Sequence, residues 1–172
     1  LGSFGVLLLL CLYYPVAAFY TKANGFANKP TLDGTAYLQT HRPAEYKAIH
    51  WLAEHADDHT IIVEATGCVY CERSRVSAWT GLPTILGWPG HERQWRGNNI
   101  EAGRREPDVA TIYQSPDLNQ VKTLLEQYNV RYVYVGQLER ETYQLSDSQL
   151  ARFGSISRLV YDQDGVKIFF CG

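Results

Sequence analysis

The chain has 172 residues, a formal net charge of −2, 20% charged residues and 45% hydrophobic residues. A net charge so close to zero provides no general attraction for a polyanion, so we expect no nucleic-acid partner. About 150 residues follow an uncharged N-terminal run, which is enough for one domain with its own hydrophobic core.

Residues 1–20 contain no charged side chain, and the first charge is Lys22. At about 1.5 Å of helical rise per residue, such a run spans the ~30 Å hydrocarbon core of a bilayer. It therefore predicts a transmembrane helix and a lipid-bilayer partner. A signal peptide that has lost its start and a buried core helix are the alternatives. Because the chain contains no methionine, we expect this run to be the end of a truncated membrane region.

A short polar stretch follows the apolar run. Residues 21–42 contain turn signals at Asn24-Gly25, Lys29-Pro30 and Asp33-Gly34, and they predict a linker packed on the following domain. The soluble domain is then expected to comprise residues 43–172.

Within this domain, hydrophobic periodicity predicts helices that alternate with strands. The helices are predicted from Pro43 to Ala56 and over 108–113, 118–128, 137–143 and 146–153. The strands are predicted over 60–65, 130–135, 157–161 and 166–170, the last two forming a hairpin around Asp164-Gly165. This order predicts an α/β fold with a mainly parallel sheet, flanking helices and a C-terminal antiparallel hairpin. Residues 66–106 show little periodicity, which is typical of a long functional loop.

A Cys-x-x-Cys sequence, Cys68 to Cys71, follows the first predicted strand. Three interpretations are open. The pair is a thiol oxidoreductase motif, or it binds zinc together with His91 and Cys171, or it consists of two loop cysteines joined by a structural disulfide outside the cell. The third is the simplest, because a single such pair is weak evidence for zinc or for redox chemistry. We expect no metal.

The segment 80–97, TGLPTILGWPGHERQWRG, concentrates side chains suited to binding sugars and phosphates. Indole rings stack on sugars, and arginine forks bind phosphate at two points. The candidate ligands in this segment are Trp88, His91, Glu92, Arg93, Trp95 and Arg96. The alternative is a loop that its tryptophans hold to the domain, with Arg–Glu pairs satisfying one another.

A further candidate site follows the predicted strand 130–135. Glu139, Arg140 and Tyr143 come shortly after Gly136, at the carboxyl end of the strand, where open α/β sheets bind ligands. The alternative is an ordinary solvated helix start with an acidic residue in its first turn. The common P-loop, GxGxxG, HExxH and GxSxG signatures are absent from the sequence.

Three segments together resemble the C-terminal part of the uncharacterised YYY family of multi-pass membrane proteins, which are similar to GT-C glycosyltransferases. The most specific segment is GWPGHERQWRG, residues 87–97. The others are 30–34 with Tyr37-Leu38, 75–77, and YVYVG at 132–136 with Glu139, Arg140 and Tyr143.

The resemblance implies an extracytoplasmic domain that positions an acceptor or a lipid-phosphate-linked sugar donor for a membrane-embedded glycosyltransferase. Arg75, Arg93 and Arg96 are then expected to neutralise phosphate. Any catalytic residues are expected upstream, in the membrane region of the same protein, so none is assigned here, and no cofactor is expected. The alternatives are a non-enzymatic, membrane-anchored assembly domain and an extracytoplasmic thiol oxidoreductase that uses Cys68 and Cys71.

Overall fold

The computed structural model describes residues 2–27, 31–69 and 71–172. The predicted turn at Lys29-Pro30 lies outside them, as does Tyr70 of the cysteine motif. The chain divides into two compact units, residues 1–36 and residues 37–172.

The first unit is built on one long apolar helix. Helix α1, Gly2–Lys22, is long and apolar enough to cross a membrane, and none of its residues is buried by the rest of the chain. A 3-10 turn, Asn24–Phe26, follows it. The Phe26 ring lies 5.6 Å from the Phe19 ring and 6.1 Å from the Tyr20 ring. These contacts fold the chain back on the end of the helix.

The second unit contains the sheet and its helices. Helix α2, Ala36–His41, leads into it. The helices that follow are α3 Pro43–His55, α4 Arg75–Thr80, α5 Pro89–Arg96, α6 Ile100–Gln114, α7 Leu118–Gln127, α8 Gln137–Tyr143 and α9 Asp147–Ala151, the last continued by a 3-10 turn, Arg152–Ser155. The strands are β1 Ile61–Val63, β2 Val130–Val135, β3 Arg158–Gln163 and β4 Val166–Phe170.

The predicted α/β class, the flanking helices and the C-terminal hairpin are confirmed. The four-stranded sheet has the order β1-β2-β4-β3, in which β1 and β2 are parallel and the other two pairs are antiparallel. The sheet is therefore mixed, and its parallel part is smaller than the sequence suggests. The reason is that the hairpin pairs directly with β2 through β4, so the hairpin supplies half of the strands.

Both faces of the sheet are covered, because the side chains of β2 alternate between two hydrophobic cores. Val133 and Val135 pack into the core beneath α6 and α7. Tyr132 and Tyr134 point to the opposite core, beneath α3 and α4. This three-layer arrangement places the carboxyl ends of β1 and β2 side by side.

The segment 66–106 is more regular than its sequence suggests. It contains α4 and α5 and the first half of α6, so the expectation of a long irregular loop is wrong. Pro89 occupies the first turn of α5 and Gly97 caps it in the left-handed conformation, at φ +69°. The glycine and proline residues thus mark helix ends there, rather than continuous loop.

Candidate functional site

The carboxyl ends of the parallel strands are filled by a buried cluster of charged side chains. Glu45 from α3, Arg75 from the start of α4 and Glu139 from α8 meet there, and all three are buried. Arg75 donates to Glu45 at 2.6 Å and 3.0 Å, and to Glu139 at 3.3 Å through each of two nitrogens. Glu139 also accepts the backbone N–H groups of Ala65 and Gly136, both at 2.9 Å.

The charges of this cluster support one another electrostatically. Burial lowers the pKa of Arg75, but Glu139 and Glu45 outweigh that effect and hold the pKa above its ordinary value. Burial raises the pKa of Glu45, but its hydrogen bonds to Arg75 and the charge of that guanidinium bring the pKa below the ordinary value. Arg75 and Glu45 therefore stay ionised near neutral pH, and the cluster fills the crevice at the strand ends.

Glu64, the residue after β1, is a second buried carboxylate. Its two oxygens accept the backbone N–H groups of Val76 and Ser77, each at 2.7 Å, and so anchor the first turn of α4. Burial raises the pKa of Glu64 to about 8, although the bond from Ser77 opposes the shift; the neighbouring charge of Glu139 adds to it. Glu64 thus titrates near neutral pH while it holds α4 in place.

Tyr143 is a buried structural side chain rather than an open ligand. Its ring stacks on Tyr113 at a centroid distance of 4.5 Å, and its hydroxyl accepts the backbone N–H of Thr66 at 3.3 Å. Burial raises its pKa to about 12. The Tyr113 hydroxyl in turn donates to the carbonyls of Val63, the last residue of β1, and Tyr134, the next-to-last residue of β2. Tyr113 therefore links the two strands through hydrogen bonds, and Tyr143 packs on its ring.

A surface groove of about 280 Å³ opens beside the buried cluster. It is lined mainly by apolar surface, and its lining residues include the aromatic Tyr37, Trp79 and Trp88 and the basic Arg42 and Arg73. We call this surface the aromatic groove. Trp79 is 38% exposed. The volume lies near the lower end of the range for ligand pockets, roughly 300–1,000 Å³, and suits a small group such as one sugar ring.

Two of the side chains predicted as ligands line the aromatic groove. Trp88 is one, and its Nε1 donates to the Arg73 carbonyl at 2.7 Å. Arg75 is the other, and it reaches the groove from the buried cluster. Because Glu45 and Glu139 already occupy its guanidinium, Arg75 is a scaffold for the groove floor and not a free phosphate ligand.

The other predicted residues of α5 lie apart from the groove lining. His91 packs edge-on against Trp88, at a centroid distance of 5.3 Å. Arg96 pairs with Glu92 at 2.6 Å on the surface of the helix. Arg93 is exposed, and Trp95 is 83% exposed.

The residues predicted as ligands after β2 do not lie together in one site either. Glu139 belongs to the buried cluster. Arg140 pairs with Asp147 at 3.0 Å and lines a neighbouring groove of about 340 Å³ together with Arg42.

Sequence analysis did not single out Arg42, Arg73, Trp79 or Tyr37 as site residues. Tyr37 and Trp79 belong to helices of six residues each, which are too short to show periodicity. Arg42 reaches the groove because it lies between α2 and α3, and it pairs there with Glu72. The clustering of arginines from position 73 onward was the available signal, but it does not indicate which of them face the same surface.

Cys68 and Cys71 form a disulfide, as the simplest interpretation expected. A zinc site that uses both thiolates is therefore not assembled. Among the described residues, no group of three or more His, Cys, Asp and Glu side chains is arranged to hold a metal ion.

Comparison with known proteins gives a likeness in structure but not in sequence. No protein-family model matches the sequence, and no curated protein matches it. The chain is similar to the C-terminal globular domain of an oligosaccharyltransferase from Archaeoglobus fulgidus, with a TM-score of 0.44 and 14% identity over 84% of this chain and 100% of that chain. The likeness concerns backbone arrangement, and no residue role transfers from it.

Proposed function

We propose that residues 37–172 are the extracytoplasmic, ligand-positioning domain of a membrane-embedded, GT-C-like glycosyltransferase. In this proposal α1 is the membrane attachment, and the aromatic groove receives an acceptor glycan or a lipid-phosphate-linked sugar donor. The catalytic residues belong to the membrane region of the enzyme, so the role of this domain is binding.

The observation that carries the proposal is the composition of the aromatic groove. An exposed tryptophan, Trp79, lines the groove together with a second tryptophan, a tyrosine and the arginines Arg42 and Arg73. Indole and phenol rings present broad apolar faces with a polar tip, which suits the C–H face and the hydroxyls of a sugar. Guanidinium forks bind phosphate oxygens at two points.

One arginine of the groove, Arg42, has an ion-pair partner that a ligand can replace. Arg42 pairs with Glu72, a side chain that is half in solvent, and bonds Glu45 more weakly at 3.4 Å. A surface ion pair of this kind contributes at most about 1 kcal/mol. A phosphate therefore displaces Glu72 from Arg42 at little cost, while Glu45 stays held by Arg75.

A second candidate function, a non-enzymatic assembly domain, is favoured by a different observation. The crevice at the ends of β1 and β2, where open sheets bind ligands, is occupied by the Arg75 cluster. A domain that serves only assembly needs such a filled crevice and has no use for an exposed aromatic groove. The two functions therefore differ in whether the groove binds a sugar.

Calorimetric titration of the full chain in detergent micelles tests the proposal. The probe is a short-chain polyprenyl phosphate-linked hexose, compared with the same polyprenyl phosphate without the hexose and with free hexose 1-phosphate. We expect Trp79→Ala and Arg42→Gln each to weaken binding about tenfold, because each loses a contact worth roughly 1.4 kcal/mol.

Trp95→Ala distinguishes the groove from the outer face of α5. Trp95 lies outside the groove lining, so the proposal expects its loss to change the affinity less than twofold. Binding that depends on Trp95 and not on Trp79 would assign the ligand to α5. The absence of binding by all three probes would favour the assembly domain.

A further inference from the structure

The disulfide lies in a surface loop that forms one wall of the aromatic groove. We call residues 67–69 and 71–73, between β1 and α4, the disulfide loop. The Cys68 side chain is exposed and the Cys71 side chain is half-buried. Cys68 is therefore the cysteine of the pair that lies nearer to solvent.

Arg73 holds its guanidinium against the disulfide. Its Nη1 lies 3.1 Å from the Sγ of Cys68 and 4.0 Å from the Sγ of Cys71. Gly67 makes room for the arginine, because a Cβ at that position would lie 2.9 Å from the Arg73 Cδ, and the glycine has φ +148°. The Arg73 carbonyl accepts a hydrogen bond from Trp88 Nε1–H, and the Arg73 Nε lies 3.4 Å from Thr142 Oγ1. Hydrogen bonds thus hold both the backbone and the guanidinium of Arg73 in place.

A fixed cation beside a disulfide favours the reduced pair. A guanidinium stabilises a thiolate much more than it stabilises a neutral disulfide sulfur, so it lowers the cost of releasing a thiolate leaving group. Cys171 provides the contrast within the same chain, since burial raises the pKa of its thiol to about 11. From the exposure of Cys68 and the placement of Arg73, we propose that Cys68–Cys71 is a thiol–disulfide exchange site for an external dithiol.

The exchange proceeds in two displacements. One thiolate of the dithiol attacks the exposed Cys68 Sγ, the S–S bond breaks, and Cys71 leaves as a thiolate. The second thiol of the reagent, once deprotonated, then attacks the reagent's first sulfur, which is bonded to Cys68 in the mixed disulfide. This step expels the Cys68 thiolate beside Arg73. The protein disulfide is reduced by two electrons, the dithiol becomes a disulfide, and its two protons pass to the cysteines or to solvent.

Reduction has a structural consequence, because it removes the covalent link between the two ends of the disulfide loop. Val69 packs so closely on Gly90 that a Cβ at residue 90 would lie 2.1 Å from the Val69 Cγ2. Glu72 pairs with Arg42 at the edge of the groove. Loss of the covalent link frees this wall to move. An effect on sugar binding rests on the proposed function, whereas the exchange chemistry does not.

Redox titration of the full chain in micelles tests the proposal. The chain is equilibrated with dithiothreitol and its oxidised form at a series of ratios, quenched in acid and alkylated, and the Cys68–Cys71 peptide is quantified by mass spectrometry. We expect Arg73→Gln to lower the equilibrium constant for reduction about tenfold, which corresponds to about 30 mV. Arg73→Lys, which keeps the charge, should restore most of the loss.

Arg104→Gln is the matched control, because Arg104 is an exposed arginine that pairs with Glu101 at 3.0 Å; its titration should match that of the wild type. Hydrogen exchange gives a second measure: amides of residues 71–76 should exchange faster after reduction, while those of α3 should not change. Equal constants for the wild type and Arg73→Gln would overturn the proposal. A pair that stays oxidised at every ratio would also overturn it. Neither result depends on whether the groove binds a sugar.

Discussion

Replacing Arg75 by methionine is the sharpest test of the buried cluster. The substitution keeps the approximate length of the side chain and removes the guanidinium that bonds both Glu45 and Glu139. Glu139 keeps the N–H groups of Ala65 and Gly136. Glu45 keeps the bond from Arg42, at 3.4 Å. Two buried carboxylates then face each other without the cation that compensated them.

Breaking a buried ion pair on one side costs about 3–5 kcal/mol, because the remaining charge is left without compensation. We therefore expect Arg75→Met to lower the free energy of unfolding by about that amount at pH 8. The loss should be smaller at pH 5, because without Arg75 the two carboxylates take up protons and no longer carry buried charge. Arg140→Met, which breaks the more exposed pair with Asp147, should cost at most about 1 kcal/mol.

Urea unfolding in micelles, followed by near-ultraviolet circular dichroism at both pH values, measures these differences. The aromatic signal reports on the domain, because Tyr113, Tyr134 and Tyr143 are buried around the cluster. A loss below about 1 kcal/mol for Arg75→Met, or one that does not depend on pH, would refute the argument. It would mean that the cluster is hydrated or that the carboxylates rearrange freely.

Three further predictions concern Glu64, Gly90 and α1. Between about pH 4.5 and 8 the native state holds a proton on Glu64 that the unfolded chain has lost. The free energy of unfolding should therefore fall with rising pH, by up to ~5 kcal/mol. An equally steep fall in Glu64→Gln, measured by urea unfolding, would contradict this. Gly90→Ala should cost about 1–3 kcal/mol and loosen the disulfide loop, because its Cβ meets Val69. Gly87→Ala, with nothing within 4 Å of the added Cβ, is its control, and equal hydrogen exchange in the two variants would argue against the contact. In carbonate extraction the full chain should remain with the membrane pellet and a variant without residues 2–22 should be released; release of both would argue against a spanning α1.

The elements predicted correctly are those whose own sequence carries the periodicity. Helix α7 shows an apolar stripe and an Asp117 cap that accepts the N–H groups of Asn119 and Gln120. Strand β2 is a run of valines and tyrosines broken only by the exposed Arg131, and the Asp164-Gly165 turn specifies the hairpin. Local rules suffice for such elements. Helix α5 was missed because its polar sequence, PGHERQWR, presents little apolar surface, and Pro107 lies within α6.

The candidate site depends on contacts that no local pattern contains. Arg75 was expected to bind phosphate, yet it pairs with residues 30 and 64 positions away in the sequence. Only the fold brings α3, α4 and α8 to the same strand ends. The residue types suited to a sugar-binding surface were visible in the sequence, but their sorting into buried, groove-lining and outward-facing groups was not.

Photocrosslinking tests the central claim most directly. The probe is the polyprenyl phosphate-linked hexose with a diazirine on the sugar, applied to the full chain in micelles, and the crosslinked peptides are mapped by mass spectrometry. The account predicts adducts within residues 37–42, 71–79 and at Trp88, which excess unlabelled probe suppresses. Adducts concentrated on residues 92–100, or adducts that excess probe does not reduce, would contradict the assignment of the aromatic groove as the sugar-binding surface.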